Sequence, residues 1–254
     1  MGGQMLEMRI DREPFTDIKV RKALQMALDL KMIAHTHYGD LVTGDPEGLV
    51  NPAYEGWTLP YSRWPADLQQ EYSFNVEKAK QLLAEAGYPE GFRTNAVLSS
   101  SDDQSLLLII KDQFKDIGVD MELNVFGDEH TMRSYVGAGK QDQMTSTVNA
   151  GHTRPPYSII TQRMSKHREN YTFCNDPQYD GLVNKALTAT TLDEVKRLCP
   201  EADMYALRQH WTINLFSKRA PLLWQPWIKE YSGEQVQTLK YFYFARLWID
   251  DSMK

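Results

Sequence analysis

The sequence predicts an α/β fold, in which amphipathic helices alternate with strands along the chain. "SFNVEKAKQLLAEAGYPEGF" (73–92) carries apolar residues at helical spacing, ends at a glycine and leads into the strand pattern "RTNAVLSS". "SDDQSLLLIIKDQFKDIG" (101–118) repeats this arrangement, and "VDMELNVF" (119–126) then alternates apolar and polar residues. This repeated helix-to-strand order is typical of an α/β layer.

The first elements are expected to be a strand and one long helix. "QMLEMRI" (4–10) predicts a short strand, and 17–39 predicts an amphipathic helix that Thr16 or Asp17 caps and Gly39 ends. Residues 40–72 are rich in glycine and proline and lack periodicity. Their aromatic residues favour a packed, functional loop over a disordered one.

The helix at 73–87 has clear signals at both ends. Asn75 can accept a hydrogen bond from a free backbone N–H of the first turn. Gly87 can take the left-handed conformation that closes a helix, and Pro89 prevents its continuation. We therefore expect a helix that stops at Gly87 and seats the next strand.

The second half of the chain continues the alternation. "DEHTMRSYVGAG" predicts a short helix, "QMTSTVNAG" a strand and "DPQYDGLVNKALTAT" a helix. Thr191 and Glu194 have the spacing of a capping box, and Pro200 is expected to kink or restart the helix that follows. The aromatic residues near the C-terminus predict strands and loops. The sequence as a whole shows neither internal repeats nor a linker.

Composition argues against several functions. The 254 residues carry a net charge of −6 with a pI near 5.6, and the absence of basic clusters makes nucleic acid an unexpected partner. No apolar run approaches the roughly 20 residues of a membrane span, and the N-terminus lacks a signal-peptide layout. Either the protein is cytosolic or the chain is a piece of a longer precursor.

Motifs for catalysis or metal binding are absent from the sequence. There is no glycine-rich phosphate loop, nucleophile elbow or zinc signature. Cys174 and Cys199 lack metal-ligand spacing, and two unpaired thiols are favoured over a disulfide. We therefore expect no enzyme activity, no metal and no cofactor.

Several segments resemble one family. "REPFTDIKVRKALQMALDLKMI" (12–33) is similar to the Pro-Phe-x-Asp turn and Val-Arg-x-Ala-Leu helix of bacterial extracellular solute-binding proteins of family 5. This family includes the dipeptide, oligopeptide and nickel receptors of ABC importers. The 73–92 segment resembles the family's helix with its Glu-Ala-Gly-Tyr-Pro-x-Gly-Phe ending, and 112–126 and 175–194 follow in the expected order.

The resemblance implies an architecture and partners. The fold would be one lobe of a type II periplasmic-binding-protein-like fold, a mixed sheet flanked by helices. Residues 1–254 would form a single lobe, the excised C-terminal half of a two-lobed receptor. The implied partners are a small peptide or related solute, the missing N-terminal lobe and the permease of an ABC importer. The implied location is periplasmic or extracellular, with an export signal, lipid-anchored or not, in the longer precursor.

The resemblance also implies ligand-binding residues in "VNAGHTRPPY" (148–157). Here Asn149 stands where peptide binders of the family carry an aromatic residue, and His152 stands where they carry the carboxylate that meets the ligand's amino terminus. Because His cannot balance an ammonium group, recognition of a free amine is not carried over. Arg154 is a candidate for an acidic or hydroxyl-rich ligand, or else a solvated loop residue, and Tyr157 completes the loop.

The tryptophans differ in the positions that the sequence predicts for them. Trp57 lies in the irregular segment that borders the cleft by resemblance and is a fifth candidate ligand-binding residue. Trp211, inside a predicted helix, is expected in the core, and core packing is favoured over ligand stacking for Trp224 and Trp227.

Two other functions remain open from the sequence. The same lobe occurs as the sensing part of transcriptional regulators, which a basic helix-turn-helix upstream would indicate. A hydrolase is the third reading, and no motif supports it.

Overall fold

The computed structural model describes residues 4–39, 41–52, 54–148, 155–216, 225–231 and 247–253. These ranges contain a five-stranded sheet in the order β3-β2-β4-β1-β5. Strand β2 is parallel to both β3 and β4, whereas β1 is antiparallel to β4 and β5. The predicted mixed sheet is therefore confirmed. The strands are β1 Gln4–Met8, β2 Phe92–Ser99, β3 Val119–Phe126, β4 Met144–Val148 and β5 Thr212–Asn214.

Helices cover both faces of this sheet. On one face, Leu6 and Met8 join a buried apolar cluster with side chains of α1, α2, α4 and α5. On the other, Val97 packs against α6 and Tyr171. The helices are α1 Ile18–Met26, α2 Leu30–Tyr38, α3 Ala66–Glu71, α4 Val76–Glu85, α5 Gln104–Lys115, α6 Glu129–Gly137, α7 Pro156–Ile160, α8 Pro177–Thr188 and α9 Leu192–Gln209.

A second apolar cluster lies beside the sheet, between α7, α8 and α9. Tyr179 and Trp211 are buried in it, with ring centroids 5.0 Å apart in an edge-on arrangement. The core position predicted for Trp211 is thus confirmed. Its predicted place inside a helix is wrong, because α9 ends at Gln209 and β5 begins at Thr212. Cys174 and Cys199 are also buried there as free thiols, which agrees with the favoured interpretation.

The prediction of one helix over 17–39 is wrong, because the chain breaks between α1 and α2. Asp17 caps α1 as predicted, through a bond from the Lys19 N–H of 2.8 Å. At the other end of α1, the carbonyl of Met26 accepts from the backbone N–H of Asn75 at 2.8 Å. Asp29 then caps α2 by accepting from Met32 N at 2.9 Å, and Gly39 ends it.

The predicted stop of the 73–87 helix is confirmed. Asn75 accepts from Lys78 N at 2.9 Å, and Gly87 has φ +91°. Two further glycines, Gly91 (φ +77°) and Gly118 (φ +78°), pass backbone against backbone where β2 and β3 begin. A Cβ at Gly91 would overlap the carbonyl oxygen of Gly118. The glycines therefore set the register of the first parallel pair.

Two further helix predictions differ from the structure. Pro200 lies inside α9, which runs unbroken from Leu192 to Gln209, so the helix does not restart. The irregular segment contains a short helix, α3, and a 3-10 turn at Tyr61–Arg63, neither of which the pattern indicated.

Near the C-terminus, two short strands pair antiparallel, β6 Ile228–Lys229 and β7 Trp248–Ile249. Trp227, beside β6, is half-buried, and Trp224 lies outside the described residues. None of the helices in the described ranges has the length and apolar content that crossing a membrane requires.

Candidate ligand-binding site

The carboxyl ends of the parallel strands β2, β3 and β4 meet at one edge of the sheet. Ligands of open α/β sheets bind in the crevice outside such an edge. Gln4, the first residue of β1, pairs with Val148 at the end of β4 and lies at the same edge. The chain continues from β4 through the predicted loop to Pro155 and α7. A ligand site is therefore expected at this edge.

A buried ion pair lies behind this edge. Glu7 of β1 and Arg163, after α7, have side chains only 3% and 5% exposed, and their closest atoms, Oε1 and Nη2, are 3.0 Å apart. The Thr147 hydroxyl also donates to Glu7 Oε1, at 2.7 Å. Burial raises the pKa of Glu7, while Arg163 and Thr147 act to lower it. The pair is held between the sheet and the segment that covers it.

Part of this ion pair has no hydrogen-bonding partner in the described part of the chain. Glu7 Oε2 and Arg163 Nε are buried and unpaired. They belong to a small space of about 30 Å³, here called the Glu7 cavity. It is large enough for one water-sized group. Its lining is Met5, Glu7, Leu49, Arg133, Thr147, Ile159, Gln162, Arg163, Glu169 and Tyr171.

Two of the predicted ligand-binding residues come together, and one of them, Trp57, packs against the apolar cluster that contains Leu49 and Ile159 of the cavity lining. The rings of Trp57 and Tyr157, here called the aromatic pair, have centroids 6.5 Å apart and are tilted by 43°. Tyr157 is 41% exposed, and Lys196 Nζ lies 5.8 Å from the Trp57 ring centroid. Ile159, two residues after Tyr157, lines the Glu7 cavity. The other three predicted residues, Asn149, His152 and Arg154, lie outside the described residues.

Sequence reasoning did not find Glu7 and Arg163. Glu7 stands between Leu6 and Met8, so the alternation of β1 predicts that it faces solvent. In the structure that face of the strand is covered by the chain around Arg163. No local signal marks this covering, because it depends on contacts between distant segments.

Metal binding finds no support in this part of the molecule. The described residues contain no group of three or more His, Cys, Asp or Glu side chains that could hold a metal ion. The chemistry available at the site is therefore that of a carboxylate, guanidinium groups and aromatic faces.

Comparison with known families and proteins gives a consistent result. The model for bacterial extracellular solute-binding proteins, family 5 Middle, matches residues 1–170. Heme-binding protein A of Haemophilus influenzae is 28% identical over 211 residues, which are 78% of this chain and 36% of that protein. The periplasmic oligopeptide-binding protein OppA of Escherichia coli is 27% identical over 240 residues, which are 90% and 42% of the two chains.

Solved structures agree in fold. The crystal structure of Haemophilus influenzae OppA in complex with RPPGFSPFR matches with a TM-score of 0.71 and 20% identity, over 100% of this chain and 49% of that one. A putative peptide binding protein, AppA from Clostridium difficile, matches with a TM-score of 0.75 and 13% identity, over 98% and 50%. The predicted periplasmic-binding-protein-like fold is thereby confirmed.

The chain spans less than half the length of the curated relatives named above. The family model nevertheless matches more than half of the 254 residues, including the Pro-Phe turn and the Gly-Tyr-Pro ending on which the resemblance was recognised. The chain belongs to the bacterial extracellular solute-binding proteins of family 5.

Proposed function

We propose that this chain is the C-terminal lobe of a periplasmic or extracellular receptor that captures a short peptide or related small solute for an ABC importer. Relatives named for binding heme, glutathione and oligopeptides support a small-solute ligand. The observation that carries the proposal is the Glu7 cavity, where a buried carboxylate oxygen has no partner. Leu49 and Ile159 of its lining share an apolar cluster with Trp57 of the aromatic pair.

The charges around this cavity suit a single polar end group of a solute, because the space holds one water-sized group. Two carboxylates, Glu7 and Glu169, and two guanidinium groups, Arg133 and Arg163, border the same small space. Neither sign of charge dominates. Because Glu7 Oε2 and Arg163 Nε have no partner, the cavity can accept a hydrogen bond through the first atom and donate one through the second. A peptide offers an ammonium group, a carboxylate and apolar side chains, and the aromatic pair suits the last of these.

Calorimetry with trialanine tests this proposal on the chain itself. We expect binding no tighter than about micromolar, because one lobe leaves much of the ligand exposed to water. Glu7→Gln should weaken it further, whereas Glu122→Gln, on the exposed side of β3, should not. Nanomolar binding by this chain alone would contradict the single-lobe proposal. The absence of binding to trialanine and to longer peptides at millimolar concentration would contradict the peptide proposal.

The predicted loop offers a separate test in the full-length receptor. If His152 stands where the family carries a carboxylate, His152→Asp should shift preference toward ligands with a free amino terminus. The expected shift is about 1–3 kcal/mol, the range for a hydrogen bond to a charged group. The measurement is the ratio of dissociation constants for trialanine and N-acetyl-trialanine. His130→Asp, on the exposed surface of α6, is the control, and an equal ratio in both variants would remove His152 from the site.

A further inference from the structure

Asp203 is a buried carboxylate in the middle of α9. It is 1% exposed, and it accepts hydrogen bonds from the backbone N–H of Leu49 at 2.8 Å and from the Thr58 hydroxyl at 2.5 Å. The backbone N–H of Val50 also donates to it. The two oxygens therefore hold both ends of the segment 49–58 against one helix, and these contacts of Asp203 with Leu49, Val50 and Thr58 are here called the clamp.

Gly48 shows how closely this segment approaches the carboxylate. A Cβ at this position would lie 2.5 Å from Asp203 Oδ2 and 2.6 Å from Oδ1. Carbon and oxygen do not approach this closely without a bond, so any side chain here would displace the segment or the carboxylate. The contact depends on glycine at one partner and on aspartate at the other.

The segment that Asp203 holds contributes to both parts of the candidate site. Leu49, at one end, lines the Glu7 cavity. Trp57, next to Thr58 at the other end, forms the aromatic pair with Tyr157. A displacement of the segment would therefore open the cavity and separate the two rings.

No cation balances Asp203 within the described ranges. The titratable groups that interact with it are Tyr72 after α3, Tyr179 of α8 and Cys199 on α9 itself. Burial raises the pKa of Asp203 to about 6, although the Thr58 hydroxyl and the backbone N–H groups of Leu49 and Val50 act in the opposite direction. The carboxyl group is consequently easier to hold in place when it is protonated.

We propose that Asp203 is a positioning residue of the ligand site, which holds the segment 49–58 so that Leu49 closes the Glu7 cavity and Trp57 meets Tyr157. This role rests on the proposed function, because it assigns a task within the same site. Asp203 does not contact the ligand. It acts through the backbone and through Thr58.

A double-mutant cycle tests the close contact. The readout is acrylamide quenching of Trp57, taken as the difference between each protein and its Trp57→Phe counterpart. Gly48→Ala and Asp203→Ala should each increase the quenching, but Gly48→Ala should add little once the carboxylate is gone. Additive effects of the two changes would overturn the clamp. Glu201→Ala, an exposed residue two positions earlier on α9, should leave the quenching unchanged.

A pH profile tests the clamp without any ligand. An opened segment exposes Asp203 and returns its pKa to the ordinary range. The opened state therefore binds fewer protons than the closed state, and opening becomes more favourable as pH rises. After correction for intrinsic exchange rates, the protection of the Leu49 and Val50 amides should fall about tenfold between pH 5 and pH 7. Asp203→Asn keeps an acceptor for Leu49 and can donate to Thr58, and should abolish this slope. Equal slopes in both proteins would overturn the proposal.

Trialanine binding separates the positioning role from the proposed function. If the unaltered chain binds and Asp203→Ala weakens binding by about tenfold or more, the positioning role is supported. Equal binding by the two proteins would overturn that role and leave the proposed function in place. Should Asp203→Ala fail to fold, Asp203→Asn serves instead, and its binding should vary less between pH 5 and pH 7 than that of the unaltered chain. Equal pH dependence in the two proteins would overturn the role. If the unaltered chain does not bind trialanine, that result counts against the proposed function alone. Amide exchange would still test the contacts of Asp203 without a ligand.

Discussion

Replacing Arg163 by Met is expected to lower the free energy of unfolding by about 3–5 kcal/mol, the usual cost of removing one partner of a buried ion pair. The change leaves Glu7 buried with only the Thr147 hydroxyl as a donor. Methionine fills a similar volume without a charge, so the loss of the guanidinium group dominates the effect. Urea denaturation at pH 7 measures it.

The pH dependence of this variant has a definite sign. Burial already raises the pKa of Glu7 above its ordinary value of 4.5, and removing Arg163 raises it further. Stability from such a group is present at low pH and is lost as pH rises through the folded-state pKa. The deficit of Arg163→Met should therefore shrink as the pH falls.

Two further variants test the cause of this effect. Adding Glu7→Gln to Arg163→Met should restore part of the lost stability, because the double variant has no buried charge. Arg168→Met removes an arginine whose side chain is 88% exposed and should change stability by less than about 0.5 kcal/mol. A double variant as unstable as Arg163→Met would show that the unpaired charge is not responsible.

Gly91→Ala is expected to lower the free energy of unfolding by about 2–5 kcal/mol. A left-handed conformation costs an L-residue about 1–2 kcal/mol, and forcing atoms into an occupied space about 1–3 kcal/mol more. The second cost arises because the new Cβ would overlap the carbonyl of Gly118, where β2 and β3 begin. Thermal or urea unfolding measures the sum.

Gly87→Ala is the matched control for this change. Gly87 also has positive φ, +91°, but no atom lies within 4 Å of the position its Cβ would take. Only the conformational cost of about 1–2 kcal/mol then applies. Equal destabilisation by the two substitutions would show that the backbone contact with Gly118 is not what requires glycine at 91.

Elements with local signals at both ends could be predicted from the sequence. The helix that Asn75 caps and Gly87 ends is an example, because a side-chain acceptor and a residue free to adopt positive φ act over a few positions. Helix α8 has such a signal at its start, where Asp176 caps it just before Pro177. Strand β3 was predictable because its alternation matches the pleat.

Other features could not be predicted because distant residues create them. The break between α1 and α2 depends on the Asn75 N–H, which donates to the Met26 carbonyl. Asp29 then caps a new helix by accepting from Met32 N. Asp29 was a visible capping residue, but apolar periodicity continued across it. In α9, packing on α8 keeps Pro200 within one helix, so tertiary contacts outweigh the local preference.

The candidate site was predictable only in part. Trp57 and Tyr157 were named from the resemblance, and the structure places their rings together. The buried charges of Glu7, Arg163 and Asp203 could not be found, because a charged residue predicts a solvated position unless its partner is known. Their partners lie on other elements, far along the chain.

The position of β1 between β4 and β5 delays the completion of the sheet during folding. This strand is an early segment of the chain, but Leu6 must find Ser146 on one side and Ile213 on the other. Such distant pairings form slowly, because the entropy lost in closing a long loop precedes any stabilising contact between the strands. On a ribosome, β1 would wait for its first neighbour until β4 had been made and for its second until β5 had been made. For a protein exported as proposed, this delay keeps the polypeptide threadable while it passes through the membrane.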